Sequence, residues 1–269
     1  MKIDLDEDAT ATPPPSLMLL AGEMLSMGEL ACFMLSQPWL RAAPRSVDDH
    51  PVLVIPPFFA NDSSTAVLRS YLCSLGHNVH GWKLGRNLWR TPELVEGVPL
   101  RVLDLHAKYG QTVSLVGWSA GGVWAREMAR EFPDLVRQVI TMGSPFRLRQ
   151  GDDTHAAWLL ELVKSRHLPE PEYMKLAEHE RTAVPVPTTA IYSRTDGVAH
   201  WESCIEEFGA DRENIEVKGT HTGLAHNSAV AYAIADRLVQ TENHWERFER
   251  PAWLASLYPS PAYFSRLAS

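Results

Sequence analysis

Short apolar runs alternate with helical periodicities along most of this chain. PVLVIP (51–56), NVHGW (78–82), TVSLVGW (112–118), RQVITMG (137–143), TTAIYS (188–193) and NIEVKG (214–219) are compact and carry few charges. Runs of this kind predict strands covered on both faces. Between them, apolar positions recur at helical spacing over 63–75, 92–109, 120–132, 201–208 and 228–240. That alternation predicts an α/β architecture: a mostly parallel central sheet of about six or more strands with helices on both faces.

Two stretches depart from the rhythm. The interval 145–187 contains no strand pattern, and a connection of that length is usually functional. It holds HAAWLLELVKSRHL, in which Trp158, Leu159, Leu162 and Val163 share a helical face, so it is expected to be an inserted lid. The other stretch is SLMLLAGEMLSMGELACFMLSQ, apolar throughout except for Glu23 and Glu29. An integral membrane span would have to bury both carboxylates at about 3 kcal/mol each. The expectation is therefore a helix packed on the domain or on a second copy of the chain, with no span. The resulting division is an N-terminal extension over 1–50, a core over 51–144 and 188–269, and a lid over 145–187.

Composition narrows the function. A net charge of −8 from 25 basic and 33 acidic residues argues against a nucleic-acid partner, which would require a basic surface. Cys32, Cys73 and Cys204 are widely separated and odd in number, so the expectation is buried free thiols rather than a disulfide framework or a zinc site. The first residues, MKIDLDEDAT, are acidic where a secretory leader is basic. Together these features predict a cytoplasmic protein. The eleven histidines include no H-E-x-x-H and no compact His/Asp cluster, so no metal is expected.

The most informative stretch is SLVGWSAGGVWAREMA, where an apolar run meets a helical pattern across a glycine-rich turn. Gly117-Trp118-Ser119-Ala120-Gly121 fits G-x-S-x-G. A chain of this length contains that pattern by chance about one time in ten, so its position between strand and helix carries the reading. A sharp strand-to-helix turn presents the serine hydroxyl at the carboxyl end of the sheet, and only glycine fits two residues to either side. No lysine follows the glycines, which disfavours a phosphate-binding loop.

A serine hydroxyl needs a base, and the base needs an acid to fix its tautomer. After the strand TTAIYS, Asp196 stands in a turn with Gly197; Asp211 and Glu202 are weaker candidates, in an exposed loop and a helix. After the strand NIEVKG come His221 and His226, with His221 favoured because it lies two residues beyond Gly219. His200 precedes any plausible final strand.

VLVIPPFFANDSST, LVGWSAGG, YSRTDGVAHW and GTHTGLAHNSAV, in that order from residue 51 to about 240, resemble the α/β-hydrolase superfamily and within it small bacterial lipases and esterases. The resemblance implies ester hydrolysis through an acyl-enzyme, no cofactor, and an oxyanion hole formed by the N–H groups of Phe58 and Ala120. One departure stands out. Pro57 occupies a position where such enzymes usually have glycine, and it lacks an N–H. Phe58, Phe59, Trp118, Trp158 and Leu162 are candidates for an apolar pocket, which suits a small-molecule ester or lipid substrate with an acyl or aromatic group. Trp118 could equally lie beneath the site. Two other functions fit the same residues: an acyltransferase using the same triad, and a binding or scaffold protein with a damaged oxyanion hole. The N-terminal apolar helix offers a surface for a homo-oligomer.

Overall fold

The structure, a computed structural model, describes residues 13–148, 154–171, 176, 178, 181–207, 209–242 and 244–259. The acidic N-terminal decapeptide and parts of the 145–187 interval lie outside them.

Six strands form one sheet in the order β2-β1-β3-β4-β5-β6. They are β1 (Pro51–Ile55), β2 (Asn78–Gly81), β3 (Val113–Trp118), β4 (Val136–Met142), β5 (Thr188–Ser193) and β6 (Arg212–Val217), and every neighbouring pair is parallel. Each of the six apolar runs gave a strand, displaced at its ends by two residues or fewer. The helices are α1 (Leu17–Gly22), α2 (Ser26–Leu40), α3 (Ala66–Ser74), α4 (Pro92–Tyr109), α5 (Ala120–Glu131), α6 (Ala157–Val163) and α7 (Ser228–Leu238). Gly110, at φ 64°, ends α4 in the left-handed conformation that favours glycine at a helix C-terminus. Among the described residues of 201–208 the expected helix is absent, and a 3-10 turn, Trp201–Cys204, forms there. The half-buried Asn214 side chain explains this, because it accepts from Glu206 N–H and donates to Glu206 C=O, drawing the chain out of helical geometry.

Side chains alternate between two cores. Val52, Val54, Val116 and Trp118 pack with α2, α3 and α7; Leu53, Ile55, Val113 and Leu115 pack with α4 and α5. The sheet is therefore the middle of three layers, which is why its strands are apolar on both faces. Among the cysteines only Cys204 is buried; Cys32 and Cys73 are free and exposed, contrary to the expectation of buried thiols.

Within the 145–187 interval, the described residues 154–168 are anchored at both ends. His155 N–H donates to Val198 C=O, beyond β5, whereas Leu168 N–H donates to Arg90 C=O and the His167 ring contacts Leu88 C=O, beyond β2. The intervening segment therefore connects the loop after β5 with the loop between β2 and α4. Its return is fastened to α5 by buried ion pairs of Arg126 and Arg130 with Glu178 and of Arg181 with Glu127, while Arg126 also pairs with Glu206 after β5.

The run Leu17–Leu40 is long and apolar enough to cross a membrane, with a mean hydropathy of 1.5 over its most apolar 18 residues. Here it packs on the domain: Phe33 and Leu40 are buried, and the Tyr71 hydroxyl donates to Leu40 C=O. Its orientation is inverted relative to an ordinary surface helix. Leu17, Met18, Met24, Leu25, Met27, Met34 and Leu35 are exposed, while Glu23 and Glu29 turn towards the protein.

Candidate active site

Ser119 follows β3 directly and sits at φ 52°, ψ −123°, a conformation that L-residues rarely adopt. Two contacts force the turn to be this tight. A Cβ on Gly117 would lie 2.3 Å from the Cα of Gly122, and one on Gly121 would lie 2.3 Å from Ile55 O. The glycines of the motif are thus required by close approach, α5 packing its first turn against the end of β1. Ser119 N–H donates to Met142 O at 2.9 Å, which locks the elbow to β4. The serine side chain makes no capping bond to α5, so its hydroxyl is not committed to the helix.

Asp196 and His221 meet at the same edge. Asp196 Oδ2 and His221 Nδ1 are 2.6 Å apart, and both residues are buried. Asp196 Oδ1 accepts from the N–H groups of Val198 and Ala199, each at 2.8 Å, so the carboxylate is oriented at both oxygens. Gly143, directly after β4, marks where the three loops converge. A Cβ there would stand 3.1 Å from Asp196 Oδ2 and 3.2 Å from His221 Nδ1, and Gly143 is next to the residue that holds Ser119. Burial drives the His221 pKa down, but the Asp196 charge and hydrogen bond and the Glu23 carboxylate outweigh it, leaving the imidazole above its ordinary 6.5. His226 lies at the end of a 3-10 turn before α7, and burial lowers its pKa. His200 packs on the Trp201 ring and faces the Glu202 carboxylate at 4.0 Å.

The loop after β1 is organised by Asn87, a residue that no motif indicated. Asn87 C=O accepts from Phe59 N–H at 2.6 Å, its N–H donates to Ala60 O, and its side chain donates to Pro56 O at 2.8 Å. Ala60 N–H is taken by Pro57 O. Pro57 has no N–H, so the donor left over in this turn is that of Phe58. Ala120, the first residue of α5, carries one of the N–H groups that a helix start leaves unpaired.

The pocket candidates are placed differently from one another. Trp118 is buried and its indole N–H donates to His221 O at 3.1 Å, so it braces the loop that carries His221. Phe58 and Phe59 are half-buried, and Arg86 stacks on Phe59. Trp158 and Leu162 are 62% and 66% exposed, whereas Val163 is buried. The expected single apolar face of α6 is thus split, with Val163 holding the helix down. The side chain of Leu159 lies outside the described residues.

A second Ser–His–Asp arrangement occurs at the opposite end of the sheet. His50 Nε2 is 3.0 Å from Ser114 Oγ, and His50 Nδ1 contacts Asp48 Oδ1. Ser114 and His50 are 0% and 1% exposed, and Gln138 also donates to Ser114. Sealed from any ligand, this group is structural. Among the described residues, no group of three or more His, Cys, Asp or Glu could hold a metal.

No family model matches the chain, and no curated protein matches it. Solved structures do resemble it. Aspergillus fumigatus lipase B has a TM-score of 0.55 at 18% identity, over 76% of this chain and 57% of that one. This chain therefore corresponds to little more than half of that lipase. A Bacillus licheniformis lipase in mature form has a TM-score of 0.52 at 12% identity, covering 72% of this chain and 94% of that one. Naproxen esterase from Bacillus subtilis has 0.50 at 12%, covering 71% and 83%. Likenesses at these identities establish a shared fold.

Proposed function

We propose that this chain, which has the α/β-hydrolase fold, is a serine hydrolase that cleaves carboxylic esters of apolar acyl or aromatic groups. The observation that carries this reading is the hydrogen-bonded pair of Asp196 and His221, together with a serine at positive φ, each in a segment that follows a strand at the carboxyl edge of the sheet. The esterase and lipase names of the structural neighbours support the reaction class.

In this mechanism Ser119 Oγ attacks the ester carbonyl carbon while His221 Nε2 takes its proton. Asp196 holds Nδ1–H, fixing the tautomer, and its charge stabilises the imidazolium. The N–H groups of Phe58 and Ala120 hold the oxyanion, each worth about 3–4 kcal/mol in the transition state. The tetrahedral intermediate collapses to an acyl-serine as His221 returns the proton to the leaving alkoxide. Water, deprotonated by His221, then releases the acid and restores the serine. No cofactor is needed. The segment over 154–168 acts as a lid above the strand ends, with Trp158 and Leu162 offering apolar surface to a long acyl chain.

The test is kinetic. With p-nitrophenyl esters of rising acyl length, Ser119→Ala and His221→Ala each lower kcat by several orders of magnitude while the circular dichroism spectrum is unchanged. Undiminished turnover in His221→Ala, with loss in His226→Ala, would move the base to the other histidine. Product analysis with an added alcohol separates hydrolysis from acyl transfer.

A further inference from the structure

The loops that carry the acid and the base are joined by a residue that belongs to neither. Glu23, between α1 and α2, directs its carboxylate into the gap between them. Its Oε1 accepts from Gly197 N–H and from His221 N–H, each at 2.8 Å; its Oε2 accepts from Thr222 N–H at 2.8 Å and Thr222 Oγ1 at 2.7 Å. One oxygen thus ties the residue after Asp196 to His221 itself. Six residues along the helix, Glu29 Oε1 accepts from Thr220 N–H at 2.7 Å.

Both loops are shaped to receive the helix. A Cβ on Gly197 would stand 2.3 Å from Leu19 O, and one on Gly223 would overlap the Glu29 carboxylate. Gly197 and His221 are themselves buried. Without Glu23 their N–H groups would be buried donors with no acceptor, a state costly enough to make the loops rearrange.

We propose that Glu23 is a positioning residue that holds the Asp196 and His221 loops at their working separation, so that docking of the N-terminal helix completes the active site. The proposal rests on the esterase reading. Its physical basis is that a displacement of about 1 Å in a reacting group can cost about a hundredfold in rate, and the bonds of Glu23 fix the backbone on which the base stands.

The charge of Glu23 has a second effect. The groups facing His221 are Asp196 at Nδ1, the Trp118 indole N–H at its carbonyl, Glu23 at its N–H and Glu29 one residue away on Thr220; Cys204, with its thiol pKa pushed up by burial, lies near Asp196. Glu23 and Asp196 both favour the imidazolium. Removing the Glu23 charge leaves Asp196 alone in that role.

The experiment compares the full chain with Glu23→Gln, Glu23→Ala and Ser119→Ala, using p-nitrophenyl butyrate and a complete pH profile of kcat/KM. Glu23→Ala is expected to lose at least about tenfold in kcat with KM within about twofold. Glu23→Gln keeps the shape and one acceptor oxygen, so it retains more activity while the acidic limb of its profile moves to lower pH. A purely structural role would leave that limb in place. If both Glu23 variants keep the parent kcat and limb while Ser119→Ala is inactive, the positioning role is refuted and the esterase reading stands. If the parent itself shows no turnover dependent on Ser119, the esterase reading fails and the positioning role falls with it. Should Glu23→Ala not fold, the Glu23→Gln limb decides.

Discussion

Ser119 stands at positive φ because the chain must reverse from β3 into α5 within one residue while α5 packs against Ile55 O. The strained position leaves the hydroxyl beyond the sheet edge, near the convergence at Gly143. Ser114, five residues earlier, is also hydrogen-bonded to a histidine that contacts an aspartate, yet it is fully buried. Position in the fold therefore separates the proposed nucleophile from a buried hydroxyl. Ser114→Ala should leave kcat near its parent value although Ser119→Ala abolishes turnover; equal losses measured in a single ester assay would contradict this. The His221 pKa yields a further expectation. A general base must be neutral, and its pKa is held above 6.5, so kcat/KM falls as pH drops through a value above 6.5. A profile whose acidic limb lies below pH 6.5 would be inconsistent with the Asp196 and Glu23 charges acting on His221. Pro57 bears on the oxyanion donors. Asn87 fixes the turn from both sides, so Pro57→Gly should change kcat/KM by less than about tenfold, or about 1.4 kcal/mol. A gain of about a hundredfold or more would mean that Pro57 holds the Phe58 N–H out of line.

At the scale of elements, the helix that carries the serine is fixed by ion pairs that fasten the insertion to it. Arg126 lies on α5, its side chain is 3% exposed, and it joins Glu178 and Glu206. Removing the cation would leave two buried carboxylates without it. Arg126→Leu is therefore expected to destabilise by about 3–5 kcal/mol, read from urea unfolding; a midpoint unchanged from the parent would show that the pairs add nothing. Helix α6 poses the opposite case. Trp158 and Leu162 are exposed, so replacing both with serine should leave stability intact and slow long-chain esters more than acetate. Equal effects on both substrates would show that α6 plays no part in chain-length selection. Strands such as PVLVI were legible because they are apolar on both faces, a pattern with few competing readings. The 201–208 segment misled because its helical spacing is local, whereas the Asn214 side chain that opens it comes from β6.

Across the whole molecule, the N-terminal helix links regions far apart in sequence. In the sequence Glu23 and Glu29 read as obstacles to a bilayer, and that was all they revealed, since nothing in the segment indicates which backbone would meet them. In the fold they reach loops at Gly197 and at Thr220 to Thr222, while methionines and leucines face outward. The placement of Ser119, Asp196 and His221 at the carboxyl edge of the sheet was legible for a different reason. Each follows a strand whose end is visible in the apolar pattern, and a parallel sheet gathers all such ends at one edge. The supports at Asn87, Gly143 and Glu23 carry no comparable local signal, because their partners are backbone groups from other elements. The account depends most on Ser119 being the single activated hydroxyl at that edge. The most direct test treats the full chain with a serine-directed fluorophosphonate and maps the adduct by mass spectrometry while following p-nitrophenyl ester hydrolysis. The account predicts one adduct, on Ser119, with activity lost in proportion to its occupancy and Ser114 unmodified. An adduct elsewhere with Ser119 untouched, or complete labelling of Ser119 with hydrolysis undiminished, would contradict it.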